Sequence, residues 1–174
     1  MELLLSILAI LISLTSVVVS VAIYMLGISR DRKQATLDAF NILQEQAFDK
    51  LNQYTFAEIR AICDNWQDTI AKRKNQTKPD GEDASEEEKK QRERYLDEYI
   101  TLSGYLARIE HFALGVNTGI YDVKVAERAG TAYLVMLYRG KLKPLLEAKH
   151  SGKSNMEYYA EFRKLVEKIE KIEK

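Results

Sequence analysis

The residues that could carry out acid–base chemistry cluster around one of the two histidines. His111 follows Glu110 and lies three residues after Arg108, with Asn117 and Asp122 a short distance further along the chain. Because histidine titrates near neutral pH, this cluster could serve a membrane-bound hydrolase. His111 is more simply explained as a helix residue that is hydrogen-bonded within a bundle, so a hydrolase is a weaker hypothesis than a role in binding or interaction.

Known enzyme and metal-binding motifs are missing from the sequence. It has no phosphate-cradling glycine-rich loop, nucleophile elbow, paired-histidine zinc helix or carboxylate-rich calcium loop. A di-metal helical bundle needs a Glu-x-x-His motif from each of two helices, and the sequence does not contain two. We therefore predict a protein that is not an enzyme and that has no metal and no cofactor.

The chain has a single cysteine, Cys63, which excludes an internal disulfide and any site built from several thiolates. Cys63 lies near Ile62 and Trp66 in a helical pattern, where a free cysteine is most often buried. We expect it to fill the core.

The charges are balanced, with 26 Lys and Arg against 26 Asp and Glu, so no basic field favours nucleic acid as a partner. In an oligomer, however, symmetry brings one arginine from each subunit to a common axis and can create an anion site that no single chain contains. Arg108 and Arg128 are the candidates for this role, with His111 as a further candidate ligand-binding residue.

The N-terminal segment has the composition of a membrane anchor. Residues 1–28 carry one charge, Glu2, and 21 of the 28 are apolar. The 26 uncharged residues from Leu3 to Ile28 span about 39 Å as a helix, against about 30 Å of hydrocarbon. A cleaved signal peptide would need a positive n-region and a shorter apolar core, so we predict an uncleaved transmembrane anchor over residues 1–29.

Basic residues follow the anchor directly. Arg30, Arg32 and Lys33 stand at its exit, whereas Glu2 stands at its start. The positive-inside rule then predicts that the N-terminus is outside and that residues 30–174 form a cytoplasmic domain.

Small residues form one stripe on the anchor helix at heptad-like spacing. Small side chains let transmembrane helices approach closely, and hydroxyl groups can bond across the contact, so the stripe predicts self-association. The stripe consists of Ser6, Ala9, Ser13, Ser16, Ser20 and Gly27.

Apolar residues at three- and four-residue spacing predict one long amphipathic helix over about 32–72, which could be continuous with the anchor. Residues 74–84 are polar and contain Pro79 and Gly81, so they are predicted to form a loop. Ser85 and Glu88 match a capping box, which predicts a helix from there to about Val116.

A turn at 117–122 follows, and Asp122 is predicted to cap a further helix that begins at Val123. A last helix is predicted from Asn155 after the polar loop 150–153. No segment requires a strand. The predicted fold class is therefore all-α: one N-terminal transmembrane helix, then a long helix and a cytoplasmic bundle of four to five helices.

The order of uncharged anchor, basic exit and aromatic-rich helix, followed by the segments 110–116 and 118–122, resembles a family of small bacterial and phage single-pass membrane proteins of unknown function. The specific part of the likeness covers residues 105–140 and includes a Gly-Ile-Tyr-Asp turn at 119–122. The resemblance implies a bacterial inner membrane and a helical domain, and it supplies no catalytic residue.

Three hypotheses follow for the function. The first is a membrane-anchored, non-enzymatic interaction protein that self-associates and binds an unknown protein partner. The second is an oligomeric sensor-effector, in antiphage or stress defence, that binds an anionic ligand such as a nucleotide second messenger. The third is the membrane-bound hydrolase considered above.

Overall fold

A computed structural model describes residues 2–75, 85–150 and 153–172. In these ranges the chain is helical apart from short turns and one pair of two-residue strands. The helices are α1 (Glu2–Leu43), α2 (Asp49–Leu51), α3 (Phe56–Asn75), α4 (Glu86–Asn117), α5 (Val123–Ala126), α6 (Ala132–Met136), α7 (Lys143–Glu147), α8 (Asn155–Tyr158) and α9 (Ala160–Ile172). The all-α prediction is confirmed.

Short irregular segments join some of these helices. The strands β1 (Lys149–His150) and β2 (Lys153–Ser154) pair in antiparallel fashion, where the sequence predicted a loop. Three π-helical turns link successive helices, and they are Gln44–Phe48, Glu127–Thr131 and Leu137–Lys141. Most of the loop predicted at 74–84 lies outside the described residues, and α3 continues to Asn75.

Helix α1 connects the apolar N-terminal segment to the helical domain without a break. The π-helical turn and α2 follow directly, so the helical path continues to Leu51. Side chains 12–35 are exposed, whereas Thr36, Phe40 and Leu43 are buried against the domain. The same helix is therefore exposed over residues 12–35 and contributes core residues over its last part.

The prediction of one long helix over 32–72 is wrong in one respect. The structure has two helical segments in this range, separated by a turn at 52–55. A capping box begins the second segment, α3: the Thr55 backbone N–H donates to Glu58 Oε2 (2.6 Å), and the Glu58 N–H donates to Thr55 Oγ1 (3.2 Å). The Thr-x-x-Glu pattern before an apolar run is visible in the sequence.

The other predicted helix starts are confirmed. At α4 the Glu88 N–H donates to Ser85 Oγ and the Ser85 N–H donates to Glu88 Oε2, both at 3.3 Å. The predicted helix from Val123 also begins there, but it bends at Gly130, whose φ of 126° is accessible mainly to glycine. A Cβ at Gly130 would lie 3.4 Å from Phe40 Cζ, so this bend is packed against α1.

The core lies between α3, α4 and the segments that follow α5. Aromatic contacts extend it to α1: Phe40 packs edge-on against Phe112 with ring centroids 5.7 Å apart. Trp66 stacks on Tyr99 at 3.9 Å. The largest fully buried side chains are Leu51, Ile59, Leu102, Leu106, Ile109, Leu134, Leu137, Leu142, Leu145, Leu146, Phe162 and Leu165.

Cys63 is part of this core, as predicted. Its side chain is buried, and burial, followed by the nearby Asp64 carboxylate, raises the pKa of the thiol to about 12. The thiol is therefore protonated at neutral pH, which does not suit a nucleophile or a metal ligand.

Candidate functional site

The junction between α1 and the domain centres on a buried hydroxyl group. Thr36 on α1 is fully buried, and its Oγ1 donates to the carbonyl of Arg32 (2.7 Å). The same oxygen accepts the backbone N–H of Asp122 at 2.8 Å. This bond joins the helix that leaves the apolar segment to the turn between α4 and α5. We call these three residues, Arg32, Thr36 and Asp122, the junction.

Asp122 is held by several donors at this junction. Its carboxylate accepts the N–H groups of Lys124 (3.0 Å) and Val125 (3.1 Å), which caps α5 as predicted. Arg32 Nη2 lies 3.5 Å from its second oxygen. Burial acts to raise the pKa of Asp122, but the two N–H groups and Arg32 outweigh it, so the pKa is below its ordinary value. The carboxylate is therefore charged at neutral pH.

The turn before Asp122 closes over a glycine of α4. The Tyr121 N–H donates to the Gly115 carbonyl at 2.9 Å, and the Tyr121 ring lies against Phe112 with centroids 5.6 Å apart. A Cβ on Gly115 would overlap the Cδ2 and Cε2 atoms of that ring. Gly115 is thus required for the position of Tyr121.

Two of the three predicted ligand-binding residues share an open groove beside the junction. The groove, of about 240 Å³, lies between α1 and α4, with Arg108 and His111 among its lining residues. Arg108 donates through Nη1 to Gln46 Oε1 across the groove. The other lining residues are Ala39, Ile42, Leu43, Gln46, Phe112 and Tyr121. We call this the α1–α4 groove.

His111 differs from its predicted setting, and Arg128 lies apart from the other two candidates. The side chain of His111 is exposed at the groove and is not packed inside the bundle. Arg128 is exposed in the π-helical turn Glu127–Thr131 and does not line the α1–α4 groove. The structure therefore brings Arg108 and His111 together and leaves Arg128 apart from them.

The polar residues near His111 have structural partners. Glu110 accepts the backbone N–H groups of Glu161 (2.9 Å) and Phe162 (2.7 Å) at the start of α9. Asn117 donates to the carbonyl and to the carboxylate of Glu161, both at 2.9 Å. Lys164, and then Asn117, lower the pKa of Glu161. The Glu110 carboxylate and the Asn117 amide, which an acid–base centre at His111 would need, are therefore already hydrogen-bonded to the start of α9.

Among the described residues, no group of three or more His, Cys, Asp or Glu side chains lies close enough together to hold a metal ion. Glu110 is bonded at the start of α9, whereas the His111 imidazole is exposed, so these two candidate residues do not form a shared metal site.

The small-residue stripe lies on α1, which is long and apolar enough to cross a membrane. The described stripe residues are exposed, and a Cβ on Gly27 would meet no atom within 4 Å. The hydroxyl of Ser16 donates to the Ile12 carbonyl (3.0 Å), and that of Ser20 donates to the Ser16 carbonyl (2.8 Å). Each hydroxyl oxygen keeps acceptor capacity for another helix. The side chains of Ser6 and Ala9 lie outside those described.

Sequence reasoning missed Thr36 and the capping role of Glu110. Thr36 precedes Phe40, Leu43 and Ala47 at spacings of three and four residues, so the periodicity already placed it on the buried face. The signal for Glu110 was not local, because the N–H groups that it accepts lie about 50 residues further along the chain.

The fold and the junction define an all-α domain built onto a helix that is long and apolar enough to span a membrane. Residues 9–169 match the family model described as a domain of unknown function, DUF4760, and the chain belongs to this family. The match confirms the resemblance to an uncharacterised family. Neither the curated proteins nor the solved structures contain a significant match to the chain.

Replacing Gly115 with Ala should destabilise the domain by about 1–3 kcal/mol, because the new methyl group collides with the Tyr121 ring. Gly104→Ala is the matched control, since Gly104 lies in the same helix and a Cβ there meets nothing within 4 Å. The control should stabilise α4 by up to about 1 kcal/mol. Unfolding of the full-length protein in one detergent, followed by Trp66 fluorescence, measures both variants, and equal effects would contradict the packing argument.

Replacing Asp122 with Ala should lower the free energy of unfolding by about 1–2 kcal/mol, because the cap of α5 is lost. Asp122→Asn retains the cap and loses only the pairing with Arg32, so its loss should be smaller. The lowered pKa of Asp122 means that the carboxylate stabilises the fold above its unfolded pKa of about 3.9, and that this contribution disappears as the pH falls through the folded value.

The difference between the wild-type protein and Asp122→Asn should therefore shrink below about pH 4. Chemical denaturation at a series of pH values measures this difference directly. A difference that stays constant down to the lowest pH at which the fold survives would exclude a role for the ionised carboxylate.

Proposed function

We propose that the chain is a single-pass protein of the bacterial inner membrane, with its N-terminus outside and its helical domain in the cytoplasm. In this proposal it is a non-enzymatic interaction protein that self-associates and presents its domain to a partner protein. The observation that carries the proposal is the continuity of α1. Its side chains from Ile12 to Ser29 are exposed and mostly apolar, and Thr36, Phe40 and Leu43 further along the same helix are buried in the domain.

The exposed apolar surface of α1 supports a membrane setting. Large apolar side chains between positions 12 and 28 are 49–70% exposed. A contiguous surface of this kind is unfavourable in water and favourable in hydrocarbon. Arg30, Arg32 and Lys33 follow this apolar surface along α1, and their side chains are exposed. The positive-inside rule assigns such a basic segment to the cytoplasmic side of the membrane.

Self-association is supported by the small-residue stripe on α1, and it would affect the domains because α1 also enters the domain core. Because α1 enters the domain core without a break, contacts between anchors would also fix how the domains face one another. An interaction protein can use such an arrangement to present several copies of one surface to a partner.

A non-enzymatic role is supported by the partners of the polar residues around His111. Glu110 and Asn117 hold the start of α9, and Asp122 caps α5. Removing any of them from these bonds for catalysis would leave the local structure without its caps.

The mass of the detergent-solubilised full-length protein tests this proposal, measured by light scattering with the detergent contribution subtracted. We expect an oligomer that dissociates when Ser13 and Ser20 are both replaced by Leu, since larger side chains prevent close approach. The matched control replaces Val18 and Ala22 by Leu on the opposite face of α1. The control should retain the mass of the wild-type protein.

A monomeric wild-type protein would contradict self-association. Dissociation of both double variants would show that the stripe is not the contact, because a general effect of added volume would then explain the result. A protein that stays in the soluble fraction of lysed cells without detergent would contradict the anchor itself.

The α1–α4 groove supports a second candidate, the oligomeric sensor-effector for an anionic ligand. Arg108 and His111 line the groove together with residues of α1, so a ligand bound there would contact the helix that continues into the membrane. Defence against phage or stress is the setting in which we would look for such a ligand.

Cyclic and linear nucleotides added to the full-length protein should raise the temperature of the Trp66 transition if this second candidate holds. Arg108→Gln should abolish that rise, while Arg128→Gln, away from the groove, should leave it unchanged. A nucleotide effect that survives Arg108→Gln would exclude the groove as the site.

A further inference from the structure

We infer that the turn at residues 118–122 forms a second contact with the membrane that α1 crosses, and that it binds the anionic headgroup layer of the lipid. This inference rests on the anchoring proposed above. It adds a surface that anchoring alone does not require.

The position of the turn follows from the direction of α4. Contacts between α1 and the α4–α5 region show that α4 runs antiparallel to α1, so its C-terminal end points back toward the apolar segment. From the π-helical turn that continues α1 back toward the anchor, the contacts join Gln46 to Arg108, Phe40 to Phe112, and Thr36 to Asp122. The turn is therefore at the end of the domain nearest to the anchor.

The height of the turn above the anchor can be estimated along α1. Asp122 is bonded to Thr36 and paired with Arg32, which lie eight and four residues beyond Ile28, the last apolar residue before the basic exit. At about 1.5 Å per residue, the turn lies about 6–12 Å beyond the end of the apolar segment. The headgroup layer on one side of a bilayer is about 5–7 Å thick.

A tilted anchor brings the turn closer to the lipid. An apolar helix of about 39 Å fits a hydrocarbon layer of about 30 Å when it tilts by about 40°, the upper end of the usual range. Packed helices lie about 8–10 Å apart, so a tilt toward α4 lowers the turn by about 6 Å. With the anchor tilted in that direction, the turn lies within the headgroup layer, and contacts between the turn and lipid headgroups would favour this direction of tilt over others.

The side chains at the turn suit this layer. Ile120 is 64% exposed at the tip, next to Gly119, whose φ of 79° ends the preceding helical path. An exposed isoleucine is ordinary on most surfaces, but this one lies at the end of the domain nearest to the anchor, where an apolar side chain can enter the boundary between water and hydrocarbon.

The charges around the turn favour anionic lipid. Arg30, Lys33 and Lys124 are exposed, whereas Asp31 is the one exposed carboxylate among residues 30–33. Asp122 is paired with Arg32, so it contributes little net negative charge. The remaining cations attract a negatively charged leaflet.

The test uses the full-length protein with Cys63 replaced by Ala, reconstituted in phosphatidylcholine vesicles containing phosphatidylglycerol. An environment-sensitive fluorophore is attached to a single cysteine, introduced as Ile120→Cys, Ile100→Cys or Val18→Cys. Ile100 is the matched control, since it is 58% exposed on α4 and lies about 30 Å along the helix from Ile120. Nitroxide-labelled lipids report contact with the bilayer by quenching.

We expect strong quenching at position 18, clear quenching at position 120 and none at position 100. Quenching at 18 with equal, weak signals at 120 and 100 would overturn the inference and leave the anchor intact. An unquenched probe at 18 would instead overturn the anchoring proposal, and with it the inference.

The role of the cations is tested by replacing Lys33 and Lys124 with Gln. Quenching at position 120 should fall in vesicles with phosphatidylglycerol and change little in phosphatidylcholine alone. Lys89→Gln with Lys90→Gln, at the opposite end of α4, is the control and should have no effect. Equal quenching in both lipids for all variants would exclude anionic headgroups as the ligand.

Discussion

The bond between the Thr36 hydroxyl and the Asp122 backbone N–H is the interaction on which the architecture depends. The buried Thr36 hydroxyl accepts the partly buried Asp122 N–H, and this N–H group would be costly to leave unpaired. The bond fixes the start of α5 against α1, and Arg32 supports it from the exposed side. Because of it, the helix that enters the domain and the turn that closes the domain behave as one unit.

This constraint links the remaining features of the junction. Tyr121 can lie over α4 only because Gly115 has no side chain, and the same ring forms one wall of the α1–α4 groove. Phe40 packs against Phe112 on the other side and approaches Gly130 at the bend after α5. A shift of α1 would therefore be felt at the groove and at the bend together, since close-packed side chains do not deform independently.

Local sequence patterns predicted most of the helices because their signals are local. The caps at Ser85 and Asp122 depend on hydrogen bonds to residues two or three positions away, and both are confirmed. The turn at 52–55 was missed although Thr55 and Glu58 form the same kind of cap, because it contains no Gly or Pro and apolar residues resume soon after it. The apolar spacing does change there to five residues, from Tyr54 to Ile59, and this change is the signal that the prediction passed over.

The sequence by itself determined the apolar N-terminal segment, the basic residues that follow it, the all-α class and the absence of familiar catalytic motifs, because each depends on composition or short spacing. Only the tertiary structure decided that α1 is both the apolar segment and a core helix, that Glu110 caps α9, and that Arg108 and His111 share a groove that Arg128 does not line. These facts depend on contacts between residues 50 or more positions apart. Such contacts follow from how all the helices pack together, and no local pattern encodes them.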